Sequence, residues 1–345
     1  MKELKVLVFG AGGFIGTYLI DALLKHNYDV VASDICPIAK EYYGHLGVPY
    51  VQVDISKTED FMAIKNHEYD AILHLASLQP ATFNSSFNTP KDYINVNVIG
   101  TMNVLDFCKR TKSKKIIYAS SHRNTSGLWR EKALINENDG RCQQYSGEYA
   151  MFSISESAAQ DCLEFYRSEY EMSGIVFRLP PVYGYGPHLE IFKYGKPVKT
   201  GFQTFVENAI MCRRLEVWGD SSVGRDIIYV KDVVSAIILA IKNHNASGLY
   251  NISTGYRLTL KEEVEKICKI FWGGNGDPKI DWRPEIPHKM DSFAYDNSKA
   301  ITELGWYPQY DFEKLLIDYK KELELNRFSF LLEKRIQMFN NTCSC

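Results

Sequence analysis

The sequence predicts an α/β fold built on a parallel, doubly wound sheet, and three observations predict it. Short apolar runs recur at Lys5–Phe9, Val30–Ala32, Val48–Ile55, Ala71–Ala76 and Lys115–Ala119. Helix-periodic segments separate them, the clearest from about Asn95 to Lys109, with Val98, Met102, Leu105 and Cys108 on one face. The first run ends in a glycine turn, Gly10-Ala11-Gly12-Gly13-Phe14-Ile15-Gly16, after which Ile15, Leu19 and Leu23 recur at helical spacing. Strands alternating with helices specify a parallel sheet covered on both faces.

The opening strand, turn and helix read as a phosphate cradle. Gly10 permits the tight turn, Gly13 lets the backbone approach a pyrophosphate, and Gly16 lets the helix pack closely on the strand. The phosphates are then expected on the helix N-terminus. The second run ends at Asp34, at the distance where an acidic residue takes the adenosine ribose hydroxyls. Asp34 would repel a 2′-phosphate, so NAD is expected in preference to NADP. The architecture is therefore expected to be of the Rossmann type, with ligands outside the carboxyl ends of the strands. Three pieces of chemistry should converge there: the glycine turn, the segment after Ala76 and the segment after Ser120.

Further along, a long helix is predicted from about Tyr149 to Tyr170, followed by a strand from Gly174 to Leu179. From Pro180 the character changes. Pro180-Pro181-Val182-Tyr183-Gly184-Tyr185-Gly186-Pro187 is dense in turn formers and aromatics, which places a domain boundary here. Ile227–Val230, Asp232–Ile241 and Leu249–Ile252 read as strand, helix and strand, so the chain is expected to return to the sheet. The division that follows is a dinucleotide domain of residues 1–180 plus 227–253 and a smaller, discontinuous α/β substrate domain of 181–226 plus 254–325. Residues 326–345 form a helix-prone tail without an assigned role.

With 345 residues there is ample material for a buried core, and the net charge of −2 gives no basic footprint for nucleic acid. No apolar segment reaches bilayer length. Met1-Lys2-Glu3-Leu4 runs straight into the first strand, so no signal peptide and a cytosolic location are expected. The eight cysteines lack the paired spacing of a zinc site, so no metal is expected. Cys343 and Cys345 are expected to lie in a frayed tail.

Further marks are Asp54-Ile55, His74-Leu75-Ala76, Asn97-Val98-Ile99-Gly100-Thr101, Arg178-Leu179 leading to Val182-Tyr183-Gly184, Val217-Trp218-Gly219-Asp220, Arg225-Asp226 through Asp232, Tyr250-Asn251-Ile252 and Leu304-Gly305-Trp306-Tyr307-Pro308. Their order over Lys5–Pro308 resembles the extended short-chain dehydrogenases of the NAD-dependent epimerase/dehydratase family, which act on nucleotide sugars. The resemblance implies hydride transfer from a sugar carbon to NAD, with a tyrosine as base and a lysine four residues on that lowers its pKa. It implies cofactor contacts from Gly10, Gly13, Phe14, Ile15, Gly16, Asp34, Asp54, Ile55, Leu75 and Ala76. It implies a grip on the substrate diphosphate by Arg225 and Arg283, with Tyr183, Trp218 and Phe205 as candidates for a nucleobase pocket. It also implies a homodimer through a four-helix interface made by the helices near Asn95–Lys109 and Tyr149–Tyr170.

The chain departs from this pattern where the chemistry belongs. Phe152 falls at the tyrosine and Glu156 at the lysine. Phe152 cannot titrate; Glu156 could still accept ribose hydroxyls, but would raise a neighbouring phenol's pKa. A register through Tyr149 puts Ser153 at the lysine. Tyr295 with Lys299 and Tyr310 with Lys314 have the spacing, but are expected by chance among 22 tyrosines and away from the nicotinamide side. The substrate-orienting serine position falls at Ser121 or His122, and Pro181 replaces an asparagine that contacts the nucleotide sugar in many relatives. A histidine ordinarily titrates near neutrality, so His122 is a candidate base, against the plainer reading of a loop histidine making a structural hydrogen bond.

Three functions compete. The first is an enzyme on a nucleotide-linked sugar with a relocated acid-base site of Tyr149, His122 and Ser121. The second is a catalytically inactive, NAD-binding regulatory or sensor subunit, as in the regulatory subunit of methionine adenosyltransferase, which resembles this fold. The third is a dehydrogenase of a free sugar or sugar acid, since Ser120-Ser121-His122 is loosely similar to uronate dehydrogenases.

Overall fold

The structure, a computed structural model, describes residues 4–80, 88–129, 131–187, 191–193, 196–287 and 291–342. Cys343 and Cys345 lie outside the described residues.

Seven strands form one parallel sheet: β1 (Lys5–Phe9), β2 (Asp29–Asp34), β3 (Tyr50–Gln52), β4 (Ala71–His74), β5 (Ile116–Ser121), β6 (Gly174–Leu179) and β7 (Gly248–Asn251). Their order across the sheet is β7-β6-β5-β4-β1-β2-β3, every pair parallel. The direction of winding reverses between β1 and β4, which opens the ligand crevice at their carboxyl ends.

Residue alternation explains why both faces are covered. Val6 and Val8 point to a core shared with Leu19 and Leu23 of helix α1 (Phe14–Lys25) and with Val233 and Ile237 of the helix Val230–Lys242. Leu7 and Phe9 point the other way, to Val104, Leu105, Ala159 and Leu163 of two helices that follow β4 and β5. Leu7 and Val8 are fully buried, a contribution of about 1.5–3 kcal/mol for each such side chain.

The helix expected over Asn95–Lys109 is longer and irregular. It begins at Pro90, passes through a π-helical stretch at Ile94–Ile99, and continues as α-helix over Gly100–Thr111. The widened turn carries Asn97 inward, where it binds both backbone atoms of Leu78, the amide at 2.7 Å and the carbonyl at 3.1 Å. The helix expected to begin at Tyr149 begins one residue later and spans Ala150–Glu169.

Beyond β6 the chain leaves and re-enters the sheet. The run expected at Ile227–Val230 shortens to Ile228–Tyr229 and pairs with Val182–Tyr183 outside the seven-stranded sheet, whereas β7 returns to it against β6. Strands Leu215–Trp218 and Ile280–Arg283 pair in parallel. Leu215, Val217, Leu260, Val264 and Cys268 close a small separate core beneath them. The unassigned tail folds as a helix, Ser329–Thr342, preceded by Phe328, which is fully buried against Tyr18 and Tyr185.

Candidate active site

At the carboxyl ends of β1 and β2 the site is made of backbone. Gly10 has φ +80, and its amide and that of Ala11 both donate to the Ser33 carbonyl, at 2.9 and 3.0 Å. A Cβ on Gly10 would lie 2.6 Å from the Ala76 amide nitrogen, and one on Gly16 would lie 2.2 Å from the Gly10 carbonyl oxygen. Gly13 begins helix α1 with no side-chain cap, so the first helical amides, at Phe14 and Ile15, stay available to an anion. The Phe14 ring wedges against the loop after β6, filling the space a Cβ on Gly184 or Gly186 would need.

Asp34 ends β2 and accepts hydrogen bonds from the Gly12 amide at 2.8 Å and the Cys36 amide at 2.9 Å. Burial raises its pKa, and those amides together with the Arg335 guanidinium pull it back. Asp54 takes the Ser56 amide and hydroxyl, and Ile55 fills the space beside Gly100. Leu75 and Ala76 close the crevice at the end of β4. The expected cofactor positions lie at the carboxyl ends of these strands; the absent Cβ atoms at Gly10 and Gly16 let the turn pack against Ala76 and on itself, and the uncapped amides of Phe14 and Ile15 fit the phosphates of a dinucleotide.

At the ends of β5 and β6 the site is made of side chains. Phe152 and Glu156 are both buried in the helix Ala150–Glu169. Ser77 donates to one Glu156 oxygen at 2.7 Å and Tyr118 to the other at 2.8 Å. Burial pushes the Glu156 carboxyl up to about 7, the two hydroxyl donors opposing it. Burial, with Glu156 beside it, drives the Tyr118 phenol well above its ordinary value. Both carboxyl oxygens are thus engaged by the protein itself.

Tyr149 stands at the N-cap of that helix, and the guanidinium of Arg123 lies 3.8 Å over its ring centroid. Arg123 also pairs with Asp291 at 3.7 Å. Its amide is held by the Ser121 hydroxyl, which caps the turn after β5. The His122 ring contacts Trp129 and Phe293, centroids 5.5 and 5.2 Å away, and its Nδ1 faces the Leu179 carbonyl at 3.1 Å. A carbonyl can only accept, so Nδ1 carries the proton and Nε2 keeps a lone pair. Burial, then the charges of Arg123 and Arg225, hold the His122 pKa well below its ordinary value, so the ring stays neutral.

Arg225 donates to the Tyr183 hydroxyl at 2.9 Å, which in turn donates to Glu263 at 3.2 Å. Tyr183 first, then Glu263 and Asp291, favour the guanidinium's charged form against burial. Its Nε is buried without a hydrogen-bond partner among the described residues. Two arginines, a neutral imidazole and a tyrosine therefore meet where β5 and β6 end. This arrangement can bind an anion and accept a hydroxyl proton.

The model of the NAD dependent epimerase/dehydratase family matches residues 6–253. The chain belongs to this family. A dTDP-glucose 4,6-dehydratase of Haemophilus influenzae is 24% identical over 336 residues, covering 90% of this chain and 95% of the relative. The structure of a UDP-glucose 4-epimerase from Thermotoga maritima with UDP-glucose superposes with a TM-score of 0.75 at 25% identity, covering 93% of this chain and 99% of that one. A Thermus thermophilus UDP-glucose 4-epimerase in complex with NAD shares the fold, with a TM-score of 0.71 at 22% identity, over 92% of this chain and 99% of that one.

Within this NAD-dependent family, the resemblance puts a tyrosine and a lysine where this chain has the buried Phe152 and Glu156. Trp218 and Arg283 are register neighbours on the small parallel ladder. Both side chains are half-exposed, Trp218 donating to Glu216 and Arg283 pairing with Glu285 at 3.5 Å. Phe205 packs in the cores. Tyr295, set aside in the sequence as remote, is not remote. Its hydroxyl bonds Thr125 at 2.7 Å and the His122 carbonyl at 3.1 Å, directly behind the turn after β5. Its spacing partner Lys299 lies instead over Tyr250 and donates to Leu249. Arg123 was not singled out from the sequence, because an arginine after a strand has no spacing that distinguishes it from a surface cation. Among the described residues no helix is long and apolar enough to cross a membrane, and no group of three or more metal-ligating side chains occurs.

Proposed function

We propose that the protein is an NAD-dependent enzyme acting on a nucleotide-linked sugar, with a rebuilt acid-base and anion site at Tyr149, His122, Arg123 and Arg225. The observation that carries this reading is the convergence of two guanidinium groups on a neutral imidazole and a tyrosine beside the cofactor crevice. When bound, NAD supplies the hydride acceptor. Arg225, with Nε unpartnered and Tyr183 on its other edge, binds the sugar-linked diphosphate bidentately. Arg123 fixes the Tyr149 ring, whose oxygen, as phenolate, would take the sugar hydroxyl proton. His122 Nε2, a bare lone pair, accepts a hydrogen bond from a neighbouring sugar hydroxyl and so orients the ring, while Ser121 caps the turn that carries His122 and Arg123.

Several finer assignments go with this reading. Asp34 favours NAD over NADP, since a carboxylate at the end of β2 would repel a 2′-phosphate. The chain divides into a dinucleotide domain (1–180 plus 227–253) and a substrate domain (181–226 plus 254–325). Ile99, Met102 and Phe165 are exposed on the helices Gly100–Thr111 and Ala150–Glu169 and their approach, which supports a homodimer through those helices. The free thiols at Cys36, Cys108, Cys142, Cys162, Cys212 and Cys268 suit a reducing cytosol. One observation favours the sensor-subunit reading instead: the engagement of Glu156 by Ser77 and Tyr118, which leaves no side chain at the lysine position free for the ribose. Titration with nucleotide sugars and with free sugars, following reduced nicotinamide, decides between them. Turnover by wild type that is lost in Tyr149→Phe supports the enzyme. Activity on free sugars alone moves the substrate, and full activity in both Tyr149→Phe and His122→Ala sinks the assignment.

A further inference from the structure

The C-terminal helix Ser329–Thr342 has no part in the site as read so far, yet its packing aims one side chain at the cofactor turn. The Phe330 ring stacks on Tyr42 of the helix Pro37–His45, centroids 6.4 Å apart, and meets His45 at 5.3 Å. Lys334 pairs with Glu41 of the same helix at 3.1 Å. Arg335 then reaches the crevice, donating from Nη2 to the Gly12 carbonyl at 3.0 Å and from Nη1 to the Pro187 carbonyl at 2.5 Å. These carbonyls belong to different walls, the turn between β1 and α1 and the loop after β6. Gly12 has a second role, since its amide donates to Asp34. One residue, through its two flanking peptide groups, thus connects the guanidinium to the carboxylate.

We propose that Arg335 is a positioning residue of the dinucleotide site: from the C-terminal helix it fixes the Gly12 peptide and sets a positive charge beside Asp34, the group that faces the adenosine ribose. This rests on the reading that the chain binds NAD. Asp34 is a carboxylate that burial drives toward its neutral form, and a neutral carboxyl accepts ribose hydroxyls poorly. The groups that face it are the Cys36 thiol and the phenols of Tyr43 and Tyr50, and burial raises the pKa of both phenols. The phenol hydroxyls donate to the carbonyls of Ala11, Asp34 and Cys36 and not to the carboxylate. Arg335 is the cation that acts on it, and it acts through the same turn that the cofactor must meet.

The test is NAD affinity by titration from about pH 5 to about pH 9 in wild type, Arg335→Gln, Arg335→Lys and Lys334→Ala. Arg335→Gln is expected to bind NAD about tenfold more weakly at neutral pH. Without the cation Asp34 holds its proton to higher pH, so affinity in this variant falls away sooner as the solution is acidified. Arg335→Lys should recover the wild-type pH profile but only part of the affinity, because a single ammonium nitrogen lacks the span of the guanidinium's two Nη donors. Lys334→Ala, which loses a surface ion pair and a cation–ring contact with Phe330 but no contact to Gly12 or Asp34, should match wild type. Wild-type affinity and pH profile in Arg335→Gln overturn the proposal. So does an equal loss in both Arg335 variants with no change of profile, which would mark a purely structural contact. Should Arg335→Gln fail to fold, Arg335→Lys decides alone by its profile. Failure of wild type to bind NAD at all overturns the cofactor reading itself, and is thereby distinguished.

Discussion

The two ends of the crevice are built from different materials. Where β1 and β2 end, the cradle is backbone: Gly10 at positive φ, Gly16 against the Gly10 carbonyl, and the uncapped start of α1. Where β5 and β6 end, the site is made of side chains: Arg123 over Tyr149, His122 among aromatic rings, Arg225 on Tyr183. A backbone turn packed this closely admits few substitutions, because a Cβ at Gly10 or Gly16 collides with main-chain atoms. A side-chain site tolerates more change, and on the proposed reading Tyr149, His122 and Arg123 act beside the buried Phe152 and Glu156, since only the position of a charge or a lone pair matters.

The largest effect that could break this contrast is expected at Gly16. A Gly16→Ala change puts a Cβ within 2.2 Å of the Gly10 oxygen, and should cost about 3 kcal/mol or more and abolish NAD binding. Calorimetric titration checks this, and retained binding would mean that the cradle is not the cofactor site.

Next is Arg225→Ala. It leaves Glu263 buried beside Tyr183 without its cation, a loss of about 3 kcal/mol in unfolding free energy together with loss of nucleotide-sugar binding. Adding Glu263→Gln should restore stability in denaturant titration but not binding; recovery of both would make the arginine structural only.

Glu156→Gln sharpens the comparison through pH. The folded pKa of about 7 exceeds the unfolded value of 4.5, so the folded protein binds the extra proton between them, and stability falls as pH rises through that window. Gln keeps both hydroxyl partners and removes the titration. Relative to wild type it should gain stability from about pH 5 to about pH 8, on the order of 3 kcal/mol at most. Parallel stability curves for the two proteins would show that Glu156 is not held near neutrality. The smallest effect is expected at Trp218→Ala, within about 0.5 kcal/mol in stability because the side chain is half-exposed. A large drop in nucleotide-sugar affinity there would extend the substrate site to the small ladder.

Legibility followed the same division. The glycine turn could be read from the sequence because its geometry demands glycine at Gly10 and Gly16, and the seven strands followed from apolar runs at the expected places. The side-chain end was read only in part. Tyr149 and His122 were named, but Arg123 was not, since the contact that gives it meaning is made between a loop and a helix cap. Tyr295 was placed away from the site because its neighbours in sequence are remote from His122, whereas the isolated pairing of Ile135 with Tyr295 carries it back. The tail helix could not be assigned for the same reason: its partners Tyr18 and Tyr42 lie at the other end of the chain.

The most direct test of a rebuilt catalytic end on a retained cofactor end is rapid-mixing absorbance of reduced nicotinamide, with NAD-loaded protein and a panel of nucleotide sugars, in wild type and Tyr149→Phe. Reduction of NAD by wild type with at least one nucleotide sugar, slowed about a hundredfold or more in Tyr149→Phe, is the predicted result. Tight NAD binding with no reduction by any sugar in wild type would contradict it and leave a binding protein on an enzyme's fold.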